Sequence, residues 1–91
     1  MESTPLCDEL KKSIELGDAD RSRELAEKLI HVMDPVSIIK SCMIPPMQIV
    51  GEKFARMEIF LPEVMTAAEA FESAMKIVEP LITKEHSKAI T

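Results

Sequence analysis

The side chains able to move a proton, attack a carbon or hold a metal are few and scattered. His31 and His86 have no partner at motif spacing, and nothing resembles H-E-x-x-H. His31 falls near the end of a predicted helix, where a cation meets the helix dipole favourably. His86 falls in a polar tail and is read as solvated. Cys7 and Cys42 are isolated and lack the C-x-x-C spacing of a metal or redox pair. Both fall on apolar helix faces, where free cysteine serves as a small core hydrophobe, so reduced thiols are expected. Glu58, Glu63 and Glu69 read as surface or first-turn acids. No Gly-rich phosphate loop or G-x-S-x-G elbow is present. The chain is therefore not expected to be catalytic on its own.

One feature does point to a ligand. The connection Met57 to Leu61 reads M-E-I-F-L, whereas turns are normally built from Gly, Asn, Asp and Pro. An apolar turn needs a cover, and a large flat ligand is the candidate. Phe54 precedes the turn, Pro62 follows it, and Met57 and Met65 flank it. Among the seven methionines, Met43, Met47 and Met75 read as gap-filling core residues. Met57 and Met65 are the two placed to touch a ligand.

Helices are expected to position these residues. Thr4-Pro5 is a cap followed by a first-turn proline. Leu6, Leu10 and Ile14 then form one stripe, and Gly17 supplies the stop. Asp18 or Asp20 caps a second helix with Leu25, Ala26, Leu29 and Ile30 inward. Asp34-Pro35 opens a third, carrying Val36, Ile39 and Met43 with Ile38 and Cys42 beside them. Pro45-Pro46 should interrupt it and push Ile44 away from helical angles. A fourth helix starting near Pro46 places Met47, Val50, Gly51 and Phe54 on one face. Gly51 there costs about 1 kcal/mol relative to Ala, which predicts a close backbone neighbour. The fifth helix opens at Pro62, with Val64, Ala68, Phe71, Met75, Val78 and Ile82 at helical spacing and Ala67, Ala74 and Leu81 alongside. Pro80 should kink it or mark its last turns, and Thr83 to Thr91 should fray. No strand periodicity or hairpin signal appears. The expected fold is all-α, a four- to five-helix bundle over residues 1–91 as a single domain.

The bulk numbers exclude several classes of partner. The chain has 91 residues, 46% hydrophobic, 30% charged and only 3% aromatic, with net charge −5. Lys11, Lys12, Arg21 and Arg23 are interleaved with acids, which argues against nucleic acid. No apolar run approaches the roughly 18–20 residues of a membrane span, and Met1 to Asp18 has no signal-peptide pattern. A cytoplasmic location is expected.

The segment G-x-x-F-x-x-x-E-I-F-L-P-x-V (Gly51, Phe54, Glu58, Ile59, Phe60, Leu61, Pro62, Val64), with Pro80-Leu81 at the far end, resembles the N-terminal helical cap of cobalamin-dependent methyltransferase proteins. D-P-x-x-I-I (Asp34, Pro35, Ile38, Ile39) and P-x-M-x-x-V-G (Pro45, Met47, Val50, Gly51) are similar to the same family. The resemblance covers nearly the whole chain and is closest to the methylamine- and methanol-type corrinoid proteins of methanogens and acetogens. It implies the methionine-synthase-type cobalamin cap, a bundle seated over the upper face of a corrin ring. Phe54 and Leu61 match the residues that contact the upper axial side. The implied role is to shield methylcobalamin during methyl transfer, as part of a corrinoid-dependent methyltransferase system. Implied partners are a corrinoid-binding α/β domain and methyltransferase subunits. A stand-alone module that dimerises through the same apolar surface, without corrinoid, is the alternative.

The sequence departs from the family at Pro46, where Gly is common, and at Met57, where Gly or Ala is common. The family's α/β domain, whose D-x-H-x-x-G histidine binds cobalt from below, does not occur in these residues. The chain is thus expected to be half of a larger protein, a truncation or a stand-alone cap. By itself it should bind corrinoid weakly or not at all.

Overall fold

The structure is a computed structural model that describes the backbone of residues 5–90 and the side chains of residues 5–82. Helix α1 spans Pro5–Leu16, α2 Ala19–Leu29 and α3 Pro35–Ile38; a π-turn follows at Ile39–Met43, then α4 at Ile44–Ala55 and α5 at Leu61–Ile90. The stretch from α3 to α4 is one continuous rod, so the described residues form four helical rods and no strand. The all-α bundle expected from periodicity is the fold observed. The capping threonine expected at Thr4 and the side chain of His86 lie outside the described residues.

Local signals account for the helix ends. Asp18 caps α2, accepting from the Arg21 backbone N–H at 3.1 Å. Asp34 caps α3 in the same way, accepting from Ser37 N–H at 3.2 Å, with Pro35 at the first helical position. Each such cap contributes about 1 kcal/mol. Helix α1 stops at Gly17, whose φ is +76°. Gly17 N–H donates to Ile14 O at 3.0 Å and Asp18 N–H to Ser13 O at 2.9 Å. This is a Schellman close, and it needs the left-handed residue that glycine supplies. Gly17 also lies hard against α5: a Cβ there would fall 2.6 Å from Thr66 Oγ1 and 3.2 Å from the Thr66 backbone carbon.

The core is built from Leu10 and Ile14 of α1, Leu25, Ala26 and Leu29 of α2, Ile38, Cys42 and Met43 of the rod, and Ala70, Ala74 and Val78 of α5. The most extensive helix contact is between α2 and α5. The buried line of α5 is Ala67, Ala70, Ala74 and Val78, while Val64, Ala68, Phe71, Met75 and Ile82 are half-buried along its edges. Of the expected stripe only Val78 lies on that line, whose centre is otherwise Ala70 and the flanking Ala67 and Ala74. Small side chains take the centre because they let α2 approach closely, and the larger ones wrap around that contact. Ser13 and Ser22 are buried between α1 and α2, their hydroxyls 2.7 Å apart, and Ser13 Oγ is also 2.9 Å from Leu10 O. That satisfies both groups within the core. On the surface Arg21 joins the same two helices through Glu9 at 2.8 Å, an exposed pair contributing under about 1 kcal/mol.

Four expectations are corrected. Pro45 and Pro46 do not interrupt the helix. The backbone widens ahead of them, with Ile44 N–H donating to Ile39 O five residues back, and Ile44 keeps helical angles at φ −69°, ψ −46°. A proline ring collides with the carbonyl four residues earlier in an α-helix; a π-turn relieves this by admitting one extra residue. That extra residue also shifts the buried face, which becomes Ile38, Cys42, Met43, Pro46 and Val50, leaving Val36 exposed. Gly51 has no close neighbour, since a Cβ there would meet nothing within 4 Å. Pro80 lies inside α5, which runs on to Ile90 through the polar stretch that suggests a frayed tail.

The fourth correction concerns the cysteines. Cys7 and Cys42 are joined in a disulfide, with Cα atoms 5.2 Å apart and a sequence separation of 35. Their lack of C-x-x-C spacing concealed a pairing that only the packing of α1 against the rod creates. Closing a loop of that length is worth up to about 4 kcal/mol in the chain-entropy picture. Reducing the bond should lower the melting temperature by roughly 10–20 °C, read by circular dichroism with and without dithiothreitol. Gly17→Ala should cost about 2 kcal/mol or more in urea unfolding, through the left-handed backbone and the Thr66 contact together.

Candidate functional site

The apolar connection is held by its own backbone. Helix α4 closes on Met57, whose φ is +64°, the one non-glycine residue with positive φ among those described. Met57 N–H donates to Phe54 O at 3.0 Å, and Glu58 N–H donates to Lys53 O at 2.8 Å. These two bonds repeat the Schellman pattern of Gly17, here with a methionine in the left-handed position. At the start of α5, Phe60 N–H donates to Glu63 Oε1 at 2.7 Å. Glu63 therefore does half the work of a capping box, and Phe60 has no side-chain oxygen to return the bond. Helix α5 begins at Leu61, one residue before the expected Pro62.

With its backbone satisfied, the turn is free to direct large side chains outward. Phe54 is 46% exposed, Met57 83%, Phe60 72%, Leu61 56% and Met65 56%. All four expected ligand-contacting residues, Phe54, Met57, Leu61 and Met65, thus fall at one uncovered end of the bundle. Phe60 joins them and is the residue the sequence reading left out. Its signal was present, since it stands in the same apolar run. Ile59 points the other way, into a cleft lined also by Leu16, Val50 and Thr66, and anchors the turn to the bundle. The exposed face of α4 continues the patch through Gly51, Gln48 and Ile44 without a charge. Charge lies at its rim, where Arg56 pairs with Glu52 at 3.6 Å and Glu58 at 3.5 Å.

By area, five such side chains expose on the order of 500 Å², the size of the largest patch on a typical monomer and often a functional one. The cluster is apolar, with Arg56, Glu58 and Glu63 at its edge, so it suits contact with a hydrocarbon face rather than acid–base work. His31 is exposed just beyond α2, on another part of the chain. Among the described residues no group of three or more His, Cys, Asp or Glu is placed to hold a metal ion, and no helix is long and apolar enough to cross a membrane.

The chain belongs to the B12 binding domain family, the helical cap of corrinoid proteins, which matches residues 6–79. It is 38% identical over 81 residues to a corrinoid protein of Desulfitobacterium hafniense, covering 88% of this chain and 38% of that protein. It is 39% identical over 79 residues to the trimethylamine corrinoid protein of Methanosarcina barkeri, covering 86% and 36%. Monomethylamine corrinoid protein 1 of Methanosarcina acetivorans is 33% identical over 85 residues, with 92% and 39% covered. The chain thus spans less than two fifths of the length of these relatives.

Phe60→Ser and Met65→Ser should each change unfolding free energy by less than about 1 kcal/mol, because both side chains already face solvent. Val78→Ala, in the core, should cost about 1–2 kcal/mol. Met57→Gly should stabilise by about 1 kcal/mol by relieving the left-handed methionine. Urea unfolding of the four variants measures all of these.

Proposed function

We propose that this chain is the cap of a corrinoid methyl carrier in the cytoplasm, covering the upper face of a corrin ring held by an α/β domain. The observation that carries the reading is the uncovered cluster of Phe54, Met57, Phe60, Leu61 and Met65 at one end of a bundle whose core is otherwise closed. The corrinoid supplies a cobalt centre able to carry a methyl group. The residues of this chain supply the apolar cover. Phe54, Leu61, Met57, Phe60 and Met65 would lie against the apolar face of the corrinoid and keep water from it. Excluding water protects a reactive centre between transfers, and displacement of the cap admits a methyltransferase. Phe54, Met57, Phe60, Leu61 and Met65 include no histidine, cysteine or acid, so holding the cofactor would fall to the α/β domain. The names of the relatives make methylamines the favoured class of methyl donor, with methyltransferase subunits as docking partners.

The same exposed patch supports one other occupant, a second copy of the chain, because uncovered apolar surface of this size promotes association. Gel filtration with light scattering separates the two: a dimer that persists when a corrinoid-loaded α/β domain is added favours self-association. For the cap, titrating this chain into a corrinoid-loaded α/β domain should shift the cobalt absorbance bands. Leu61→Ser or Phe54→Ser should weaken that response about tenfold while leaving the fold intact. A spectrum unchanged by the wild-type chain would overturn the cap reading.

A further inference from the structure

Both members of the Cys7–Cys42 disulfide are buried, Cys7 2% exposed and Cys42 not at all. Cys42 lies in the π-turn Ile39–Met43, and Cys7 lies in the first turn of α1. The bond thus joins a helix end, where local opening is least costly, to the one stretch of the rod with non-α hydrogen bonding. Downstream of that stretch the rod carries Phe54. Pro45 and Pro46 provide no backbone N–H to the turn before them, so the π-turn has fewer hydrogen bonds of its own than an uninterrupted helix. The turn is held from outside, by burial of Met43 in the core and by the disulfide from Cys42 to α1.

We propose that Cys7 and Cys42 are a reversible thiol–disulfide pair that clamps the π-turn to α1 and controls how freely the rod bearing Phe54 moves. Oxidation proceeds by exchange with a small-molecule disulfide such as glutathione disulfide. Opening of the first turn of α1 exposes Cys7, whose thiolate attacks one sulfur of the oxidant and releases one thiol. The Cys42 thiolate then attacks Cys7 Sγ in the mixed disulfide, forming the protein bond and releasing the second thiol. Two electrons pass from the two cysteine sulfurs to the oxidant, and the protons lost by the cysteines are taken up by the two departing thiolates. Reduction by a dithiol reverses each step.

The proposal is independent of corrinoid, and its test needs none. The intact chain is equilibrated with glutathione disulfide or with dithiothreitol, labelled with maleimide without denaturant, and weighed. The oxidised sample should take no label and be lighter than the unlabelled reduced chain by two hydrogens. The reduced sample should take two labels. Amide hydrogen exchange over residues 39–46 should be about tenfold faster in the reduced chain, with amides of α2 changed much less. Cys7→Ser/Cys42→Ser should follow the reduced wild type; should that variant fail to fold, the two states of the wild type still carry the comparison. Two labels after oxidation, a bond that resists dithiothreitol in the folded chain, or equal exchange of the π-turn in both states would overturn the proposal.

Discussion

The close approach of α2 to α5 is the contact on which the other elements depend. Leu25, Ala26 and Leu29 lie against a line of Ala67, Ala70, Ala74 and Val78. Small side chains on one helix and leucines on the other allow dense packing at short range, and dense packing is what dispersion rewards. Once α5 is held there, Thr66 meets Gly17, so α1 must end where it does. Ser13 and Ser22 then face each other, and α1 presents Cys7 to the rod. The beginning of α5 is fixed by the same contact, and with it the end of the bundle that carries Leu61.

An outward-facing apolar turn is possible because its polar work is done inside the backbone. A turn normally uses Asn, Asp or Ser to satisfy stray backbone groups. Here the bonds from Met57 and Glu58 N–H to the last carbonyls of α4 and the Glu63 carboxylate at Phe60 N–H do that instead. The side chains of Phe54, Met57, Phe60 and Leu61 are then left facing solvent rather than holding the loop together. The cost is a methionine in a left-handed conformation, a local strain of the kind that tends to gather at functional positions.

Much of this was legible in the sequence, for identifiable reasons. Asp18, Asp34-Pro35 and Gly17 are local signals, and each acts where it stands. The uncovered apolar end was legible because apolar side chains in a turn contradict turn chemistry. What escaped was non-local or depended on phase. The disulfide joins residues 35 apart, and no spacing rule encodes a bond that arises from helix packing. The π-turn is invisible to periodicity because it is a break in period; proline reads as a stop when neighbouring backbone can widen instead. The buried line of α5 was misplaced by a fraction of a turn, since hydrophobic spacing marks large residues and the centre of this contact belongs to small ones. Phe60 was passed over for the same sort of reason, as the turn was weighed by its motif rather than by which side chains its caps set free.

The π-turn acts as a phase shifter. Each residue of an α-helix advances about 100° around the axis, so the residue it inserts rotates everything after it relative to an unbroken helix begun at Asp34. Val50 is thereby turned inward and Gly51 outward. Loss of one residue between Ile39 and Ile44 would leave helix and composition nearly unchanged, yet swing the exposed face of α4 by more than a quarter turn. The identity of the surface is thus encoded less in which residues α4 contains than in the angular offset set before it begins, and two chains with the same α4 sequence but different counts upstream would present different faces to solvent.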